Sequence, residues 1–134
     1  MFISWKFLSI LSWLVILTFQ ACIAEPPQIT DALLNVKTSG KTFRPGASVD
    51  ITWAFNKKYA KTIKSIEVWL GHSTGMGHAP TQAIKKSINP ASGRARIVIP
   101  NVKPSTHGNI WFLDLVWNNK GSITELNLIP ITIQ

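Results

Sequence analysis

The sequence predicts an all-β fold, and three observations support this. Short segments alternate apolar with polar residues, as half-buried strands do. Turn signals made of Gly, Pro, Asn and Ser separate these segments about every ten residues. No segment shows the apolar spacing of an amphipathic helix. Together these features are typical of an antiparallel β-sandwich of immunoglobulin-like type, with about seven or eight strands.

The first 24 residues are predicted to form a secretory signal peptide. Lys6 precedes an apolar run over residues 7–19, and small residues follow as far as Ala24, which is the pattern of a cleaved leader. The run is shorter than the roughly 20 residues of a membrane-spanning helix, so an uncleaved anchor is the weaker alternative, and lipidation of Cys22 is weaker still. We therefore expect residues 25–134 to form one secreted, extracellular domain with no stable membrane anchor.

The mature domain would contain no cysteine, because Cys22 is the only one in the chain. Burial and strand pairing must then stabilise the domain without disulfides. The formal net charge of the chain is +8, which serves solubility or attracts an anionic partner such as an acidic polysaccharide or a membrane surface. Because the lysines are scattered near predicted turns, we favour solubility, and we expect no nucleic-acid partner for a secreted protein.

The strand around Trp53 is the clearest element. A proline–glycine pair at 45–46 predicts a tight turn, and large apolar side chains then alternate with small or polar ones over residues 47–55. This two-residue period places the apolar side chains on one face. We expect Val49, Ile51 and Trp53 to lie in the core, with Trp53 at its centre because it can bury the largest area.

The remaining strands follow from the same alternation and from the turns between them. The glycine-rich segment 71–80 predicts a loop, and residues 118–121 predict a tight hairpin turn. Pro130 cannot donate to a strand ladder, so it places the last strand at a sheet edge or at a bulge. The segment 109–117 is apolar on both faces except for Asp114, which is typical of a central strand or of a strand at a partner surface. The other strands are predicted at 29–36, 63–70, 81–88, 94–99 and 123–133.

No residue pattern points to an enzyme. Glycoside hydrolysis needs a pair of carboxylates, and no spacing among the six acidic residues marks such a pair. Asp50 and Glu67 could be neighbours on outward-facing strand positions, and a buried Asp114 would need a partner such as Arg94 or Arg96. The sequence also lacks the motifs of serine hydrolases, zinc proteases and nucleotide-binding folds. We expect no catalytic residues, no cofactor and no enzyme activity.

The tryptophans and two histidines are the better candidates for a binding site. Trp69 lies opposite the apolar face of its strand, whereas Trp111 and Trp117 share one face of theirs. If these faces are exposed, the tryptophans form a flat platform for sugar rings; if another layer covers them, they belong to the core. His72 and His78 flank the glycine-rich loop beside this candidate site. They lack nearby carboxylate or thiol ligands, so we expect no metal site.

Residues 43–53 read FRPGASVDITW and resemble the N-terminal domain of fungal cell-wall synthesis proteins of the killer-toxin-resistance type. In that family a glycine turn leads into an Ile-Thr-Trp strand. A later strand of the family is similar to residues 68–71, and two further strands are similar to residues 93–100 and 110–116. The resemblance implies an immunoglobulin-like sandwich, secretion and an association with β-glucan assembly or the cell wall. It implies no catalytic residues.

The chain departs from the larger members of that family. It has no Ser/Thr-rich stalk, no hydrophobic C-terminal tail and no Asn-x-Ser/Thr sequon. We therefore expect a small secreted protein that binds or organises cell-wall polysaccharide, without covalent attachment to the wall. The alternative is a secreted protein-interaction module, such as an effector or an adhesion subunit, whose partner is another secreted or surface protein and which has no glycan ligand.

Overall fold

The computed structural model describes residues 27–73, 78–102 and 110–134, with residues 73 and 78–80 described by their backbone alone. The predicted signal peptide lies outside these residues. The described residues form eight strands and two short 3-10 helices, Lys57–Tyr59 and Pro90–Ser92. In chain order the strands are β1 (Leu33–Thr38), β2 (Thr42–Phe43), β3 (Ser48–Phe55), β4 (Ile66–Ser73), β5 (His78–Ile88), β6 (Arg94–Val98), β7 (Ile110–Asn119) and β8 (Ser122–Ile133).

The strands form two sheets. One sheet has three strands in the order β1-β3-β6, and the other has five in the order β2-β8-β7-β4-β5. All pairs are antiparallel except the short parallel pair of β2 with β8. No α-helix occurs in the part of the chain that the structure describes, nor any helix long and apolar enough to cross a membrane. The prediction of an all-β, two-layer architecture is confirmed at this level.

The buried apolar residues that the structure describes form one hydrophobic core between the sheets. The three-stranded sheet contributes Val49, Ile51 and Trp53 from β3, and β4 and β7 of the other sheet contribute alternate residues such as Val68 and Leu113. Every second side chain of each strand faces the opposite sheet, which explains why apolar residues alternate with polar ones along these strands.

Trp53 is held by polar contacts as well as by packing. Its indole Nε1 donates a hydrogen bond of 2.8 Å to the carbonyl oxygen of Pro90, so the one polar atom of the ring is satisfied inside the core. The backbone N–H of Trp53 donates to the carbonyl oxygen of Gly93 at 2.9 Å. The short helix Pro90–Ser92 therefore closes over the end of the core.

Several element boundaries differ from the predicted ones. The first strand runs from Leu33 to Thr38 rather than over 29–36, and β2 was not predicted. The prediction of a loop over 71–80 is wrong at both ends, because Gly71 pairs with Pro80 and the pairing of β4 with β5 continues to Ser73 and His78. Backbone pairing across a hairpin can extend strands through residues of low β propensity.

At Pro130 only one side of β8 is paired with another strand. Pro130 is opposite Phe112 of β7, whereas β2, on the other side of β8, pairs only with Thr132 and Ile133. A register shift between Leu115 and Val116 also marks a bulge in this pair. The hairpin turn predicted at 118–121 is present, with Asn119 opposite Ser122 and with positive φ angles at Lys120 and Gly121, as a type I′ turn requires.

Gly93 gives a stability prediction at the end of the core. Its φ is +70°, and a Cβ placed there would lie 3.0 Å from the carbonyl oxygen of Trp53. We expect Gly93→Ala to lower the free energy of unfolding by about 1–3 kcal/mol, from left-handed backbone strain and this contact together. Gly121 also has a positive φ, +93°, but has no atom within 4 Å of the added Cβ. In urea denaturation Gly121→Ala should cost less, and an equal loss in the two variants would contradict the contact at Gly93.

Candidate functional site

The structure does not bring the three candidate tryptophans onto one face. Trp111 is 6% exposed and belongs to the core, and Trp117 packs against the core from the same side of β7. Trp69 alternates with Val68 and Leu70, which are core residues, and it is itself outside the core cluster and partly exposed. Of the predicted platform, only Trp69 therefore lies on the outer face of the five-stranded sheet.

The two candidate histidines lie where β4 and β5 meet. His72 is partly buried, and its ring meets that of Trp111 edge to face, with ring centres 5.8 Å apart and an angle of 68° between the planes. His72 thus shares the side of Trp111 rather than that of Trp69. His78 pairs through its backbone with Ser73, and its side chain lies outside the described residues.

The outer face of the five-stranded sheet collects three of the six acidic residues. We call the group formed by Glu67, Trp69, Asp114, Val116 and Glu125 the acidic face. In the sheet register Val116 of β7 lies opposite Glu67 on one side and Glu125 on the other, and Trp69 lies opposite Asp114. Paired residues point to the same face of a sheet, so the three carboxylates surround Val116.

These carboxylates are buried. Glu67 is 9% exposed, Asp114 1% and Glu125 6%. Removing a carboxylate from water is costly unless polar groups surround it, so a sequence that places three of them on one sheet face must compensate that cost locally. For Glu67 the compensation is visible, because its Oε1 accepts hydrogen bonds from Trp69 Nε1 at 2.9 Å and from Asn118 Nδ2 at 3.5 Å.

The hydrogen bond to Glu67 fixes the orientation of Trp69. The indole is anchored at its one polar atom, and part of the side chain remains exposed. On the β5 side its register partner is Ala83, which has a small side chain. Trp69 is therefore a preorganised aromatic surface with a carboxylate at its edge.

A second aromatic side chain lies near Trp69 on this face. Phe112 is opposite Gly71 and is partly exposed. Because Trp69 pairs with Asp114 and Phe112 is two residues before Asp114, Trp69 and Phe112 are diagonal neighbours, a separation that aromatic side chains can span. Phe112 was not among the predicted site residues, although the apolar pattern on both faces of 109–117 is a signal that could have indicated it.

Two expectations about the acidic residues are wrong. Asp50 and Glu67 are not neighbours, because β3 and β4 belong to different sheets. Arg96 is not the partner of Asp114; it lies opposite Asp50 in the three-stranded sheet, and its Nε is 2.8 Å from Asp50 Oδ1. Arg94 lies on the same strand as Arg96, so neither arginine reaches the acidic face.

The chemistry of this face suits a polar, uncharged ligand. Carboxylate oxygens accept hydrogen bonds strongly, and a fixed indole offers an apolar surface. Among the described residues, no group of three or more His, Cys, Asp or Glu side chains is placed to hold a metal ion. Comparison of the chain with protein-family models and with curated proteins finds no match in either case.

Proposed function

We propose that this protein is a secreted, non-enzymatic domain of immunoglobulin-like type that binds cell-wall polysaccharide, with β-glucan as the ligand class, through Trp69 of the acidic face and Phe112. The observation that carries the proposal is the fixed indole of Trp69. It is partly exposed on the outer face of the five-stranded sheet, and its Nε1 is held 2.9 Å from a carboxylate oxygen of Glu67.

The physical basis is the two-sided chemistry of a sugar. The C–H groups of a pyranose ring form an apolar surface that packs on an aromatic ring, while the hydroxyl groups at its rim donate hydrogen bonds. Trp69 and Phe112 supply the aromatic surface. The amide of Asn118, which is exposed and whose Nδ2 lies 3.5 Å from Glu67 Oε1, supplies polar atoms beside it. A rigid site loses little conformational entropy on binding.

The resemblance of residues 43–53 to fungal cell-wall synthesis proteins supports the same ligand class. That family combines an immunoglobulin-like sandwich with secretion and cell-wall association. The two-sheet arrangement of this domain is compatible with such a sandwich. The resemblance and the acidic face are different kinds of reason for a neutral wall glucan, since the first rests on short sequence motifs and the second on the arrangement of side chains on one sheet face.

A binding role suits the acidic face better than hydrolysis. A glycosidase needs one carboxyl group to protonate the leaving oxygen and another on the opposite side of the scissile bond. Asp114 is 1% exposed, which keeps it away from a substrate, and Glu67 is engaged by Trp69 and Asn118. We therefore assign these carboxylates to holding the face together and to fixing the indole of Trp69.

Sedimentation with insoluble polysaccharides tests the proposal. We expect the protein to be retained by β-1,3-glucan at a salt concentration that screens its net positive charge, and to stay in the supernatant with chitin. Loss of retention when salt is added would assign the binding to surface charge and overturn the proposal. The absence of retention at any salt concentration, together with co-purification of a protein partner, would favour the protein-interaction module instead.

A further inference from the structure

The charges of this protein are segregated. Of the 14 lysines and arginines, Lys6 and Lys103 lie outside the described residues, and the other twelve are all exposed. Of the six acidic residues, Glu25 lies outside the described residues and three are buried in the acidic face. The described surface therefore presents twelve cations and only two exposed carboxylates, those of Asp31 and Asp50.

The outer face of the three-stranded sheet arranges some of these cations in a row. Thr52 of β3 lies opposite Arg94 of β6 on one side and opposite Lys37 of β1 on the other. Residues opposite one another in a sheet have Cβ atoms about 4.5–5.5 Å apart. The hydroxyl of an exposed threonine is thus flanked by two exposed cations.

A β-bulge creates this row. The register of β1 against β3 shifts between Leu34 and Lys37, and Asn35 has a φ of +53°. Without the shift Val36 would face Thr52, and Lys37 would point toward the other side of the strand. With it, Val36 packs against the core and Lys37 joins Thr52. Bulges that re-aim a side chain are common at functional positions.

Two further cations line the β6 side of this face. A groove of about 610 Å³ lies beside β6 and is lined in part by Lys85, Arg94 and Arg96. Lys85 belongs to β5 of the other sheet, and its Nζ donates to the carbonyl oxygen of Arg96 at 3.1 Å. This contact holds the ammonium group at the groove and uses one of its three donors.

Asp50 moderates the positive charge of the groove. It accepts hydrogen bonds from Arg96 Nε at 2.8 Å and from Arg96 Nη2 at 3.3 Å, so the guanidinium already holds one carboxylate in a two-point contact. The hydrogen bond from Arg96 lowers the pKa of Asp50 below its usual value. Asp50 is therefore ionised at neutral pH and repels an incoming anion.

We propose that this basic face, formed by Lys37, Thr52, Lys85, Arg94 and Arg96, binds the carboxylate groups of an acidic polysaccharide. The described residues of the face include no aromatic side chain, which argues against single-stranded nucleic acid because sequence-independent binding of single strands uses base stacking. The small side chain of Thr52 leaves a shallow surface between Lys37 and Arg94, as an extended polymer requires. The site lies on the opposite sheet from Trp69 and does not depend on glucan binding.

The test uses polygalacturonate as the carboxylate polymer, with the full chain and a double variant. We expect the protein to bind immobilised polygalacturonate with an affinity that falls as NaCl is raised, because ion pairs at the surface are screened. Lys37→Gln with Arg94→Gln should weaken binding at low salt by about thirtyfold, which is about fivefold for each cation that faces an anionic surface. Asp50→Asn should strengthen it, since the competing carboxylate is removed.

A matched control separates this site from the net charge. Lys57→Gln with Lys58→Gln removes the same charge from the exposed helix Lys57–Tyr59 at another part of the sandwich. This control should change the affinity less than about twofold, because charges far from the binding site are screened by salt. Equal losses in the two double variants would overturn the proposal. Tighter binding to single-stranded DNA than to polygalacturonate, with the same loss in the Lys37/Arg94 variant, would assign the face to another class of polymer and would also overturn it.

Discussion

Replacing Trp53 with alanine is expected to lower the free energy of unfolding by about 3–5 kcal/mol. Trp53 is a buried member of the core, and it is the largest side chain that the three-stranded sheet places there. Alanine would leave a cavity that the two sheets cannot close, because β3 is fixed between β1 on one side and β6 on the other. Urea denaturation followed by circular dichroism measures the change directly.

A second substitution separates packing from hydrogen bonding at this position. Trp53→Phe keeps most of the apolar volume but removes the donor to the carbonyl oxygen of Pro90. We expect a smaller loss, about 1–3 kcal/mol, from the carbonyl left without this partner and from the volume that phenylalanine does not fill. A near-neutral Trp53→Ala variant would show that the core is not organised around this residue, and a Phe variant as unstable as the Ala variant would assign the effect to the hydrogen bond.

The orientation of β3 was predictable from its sequence. When large apolar residues alternate with small or polar ones, the strand can bury only the apolar face. In β3 the polar and small residues between Val49 and Phe55 face solvent, and the large residues face the core. Strand β6 follows the same pattern, with Ala95 and Ile97 buried and the arginines exposed. For these strands local sequence and tertiary packing agree.

The orientation of β7 was not predictable from the same reasoning. Alternation shows that Trp111 and Trp117 share a face, but both faces of the strand carry apolar residues. Which face meets the three-stranded sheet depends on the neighbours that β7 acquires, β8 and β4. Trp111 therefore lies in the core, whereas Phe112 and Val116 lie on the outer face.

The acidic face depends on strand order, which is a long-range property. The hairpin turn at 118–121 alone places Val116 opposite Glu125, since Asn119 faces Ser122 and the register counts back from there. Strand β4 lies on the other side of β7 and places Glu67 opposite Val116. Local sequence patterns do not predict this neighbour. The bulges in β1 and β8 also shift registers by one residue, and a shift of one residue reverses the face to which every following side chain points.

Replacing Trp69 with alanine is expected to abolish most of the glucan binding. A buried or anchored tryptophan at the centre of a binding surface contributes about 2 kcal/mol or more when truncated, which is about a thirtyfold loss of affinity. Because Trp69 is partly exposed and outside the core cluster, the variant should fold, and its thermal unfolding should remain cooperative. Affinity electrophoresis in gels containing soluble β-1,3-glucan measures the change.

The anchoring of the indole can be tested without removing it. Glu67→Gln keeps an oxygen that accepts from Trp69 Nε1 and should retain most of the binding. Glu67→Leu removes the acceptor and frees the ring to rotate, so it should weaken binding by several fold, about 1 kcal/mol.

Val98→Ala is the control for both sets of variants, since Val98 is 53% exposed on the three-stranded sheet and should leave binding unchanged. Full affinity in Trp69→Ala with an intact fold would remove the acidic face as the glucan site. Equal losses in Glu67→Gln and Glu67→Leu would instead show that the charge of Glu67 acts on the sugar directly, because the acceptor to the indole is lost in only one of them.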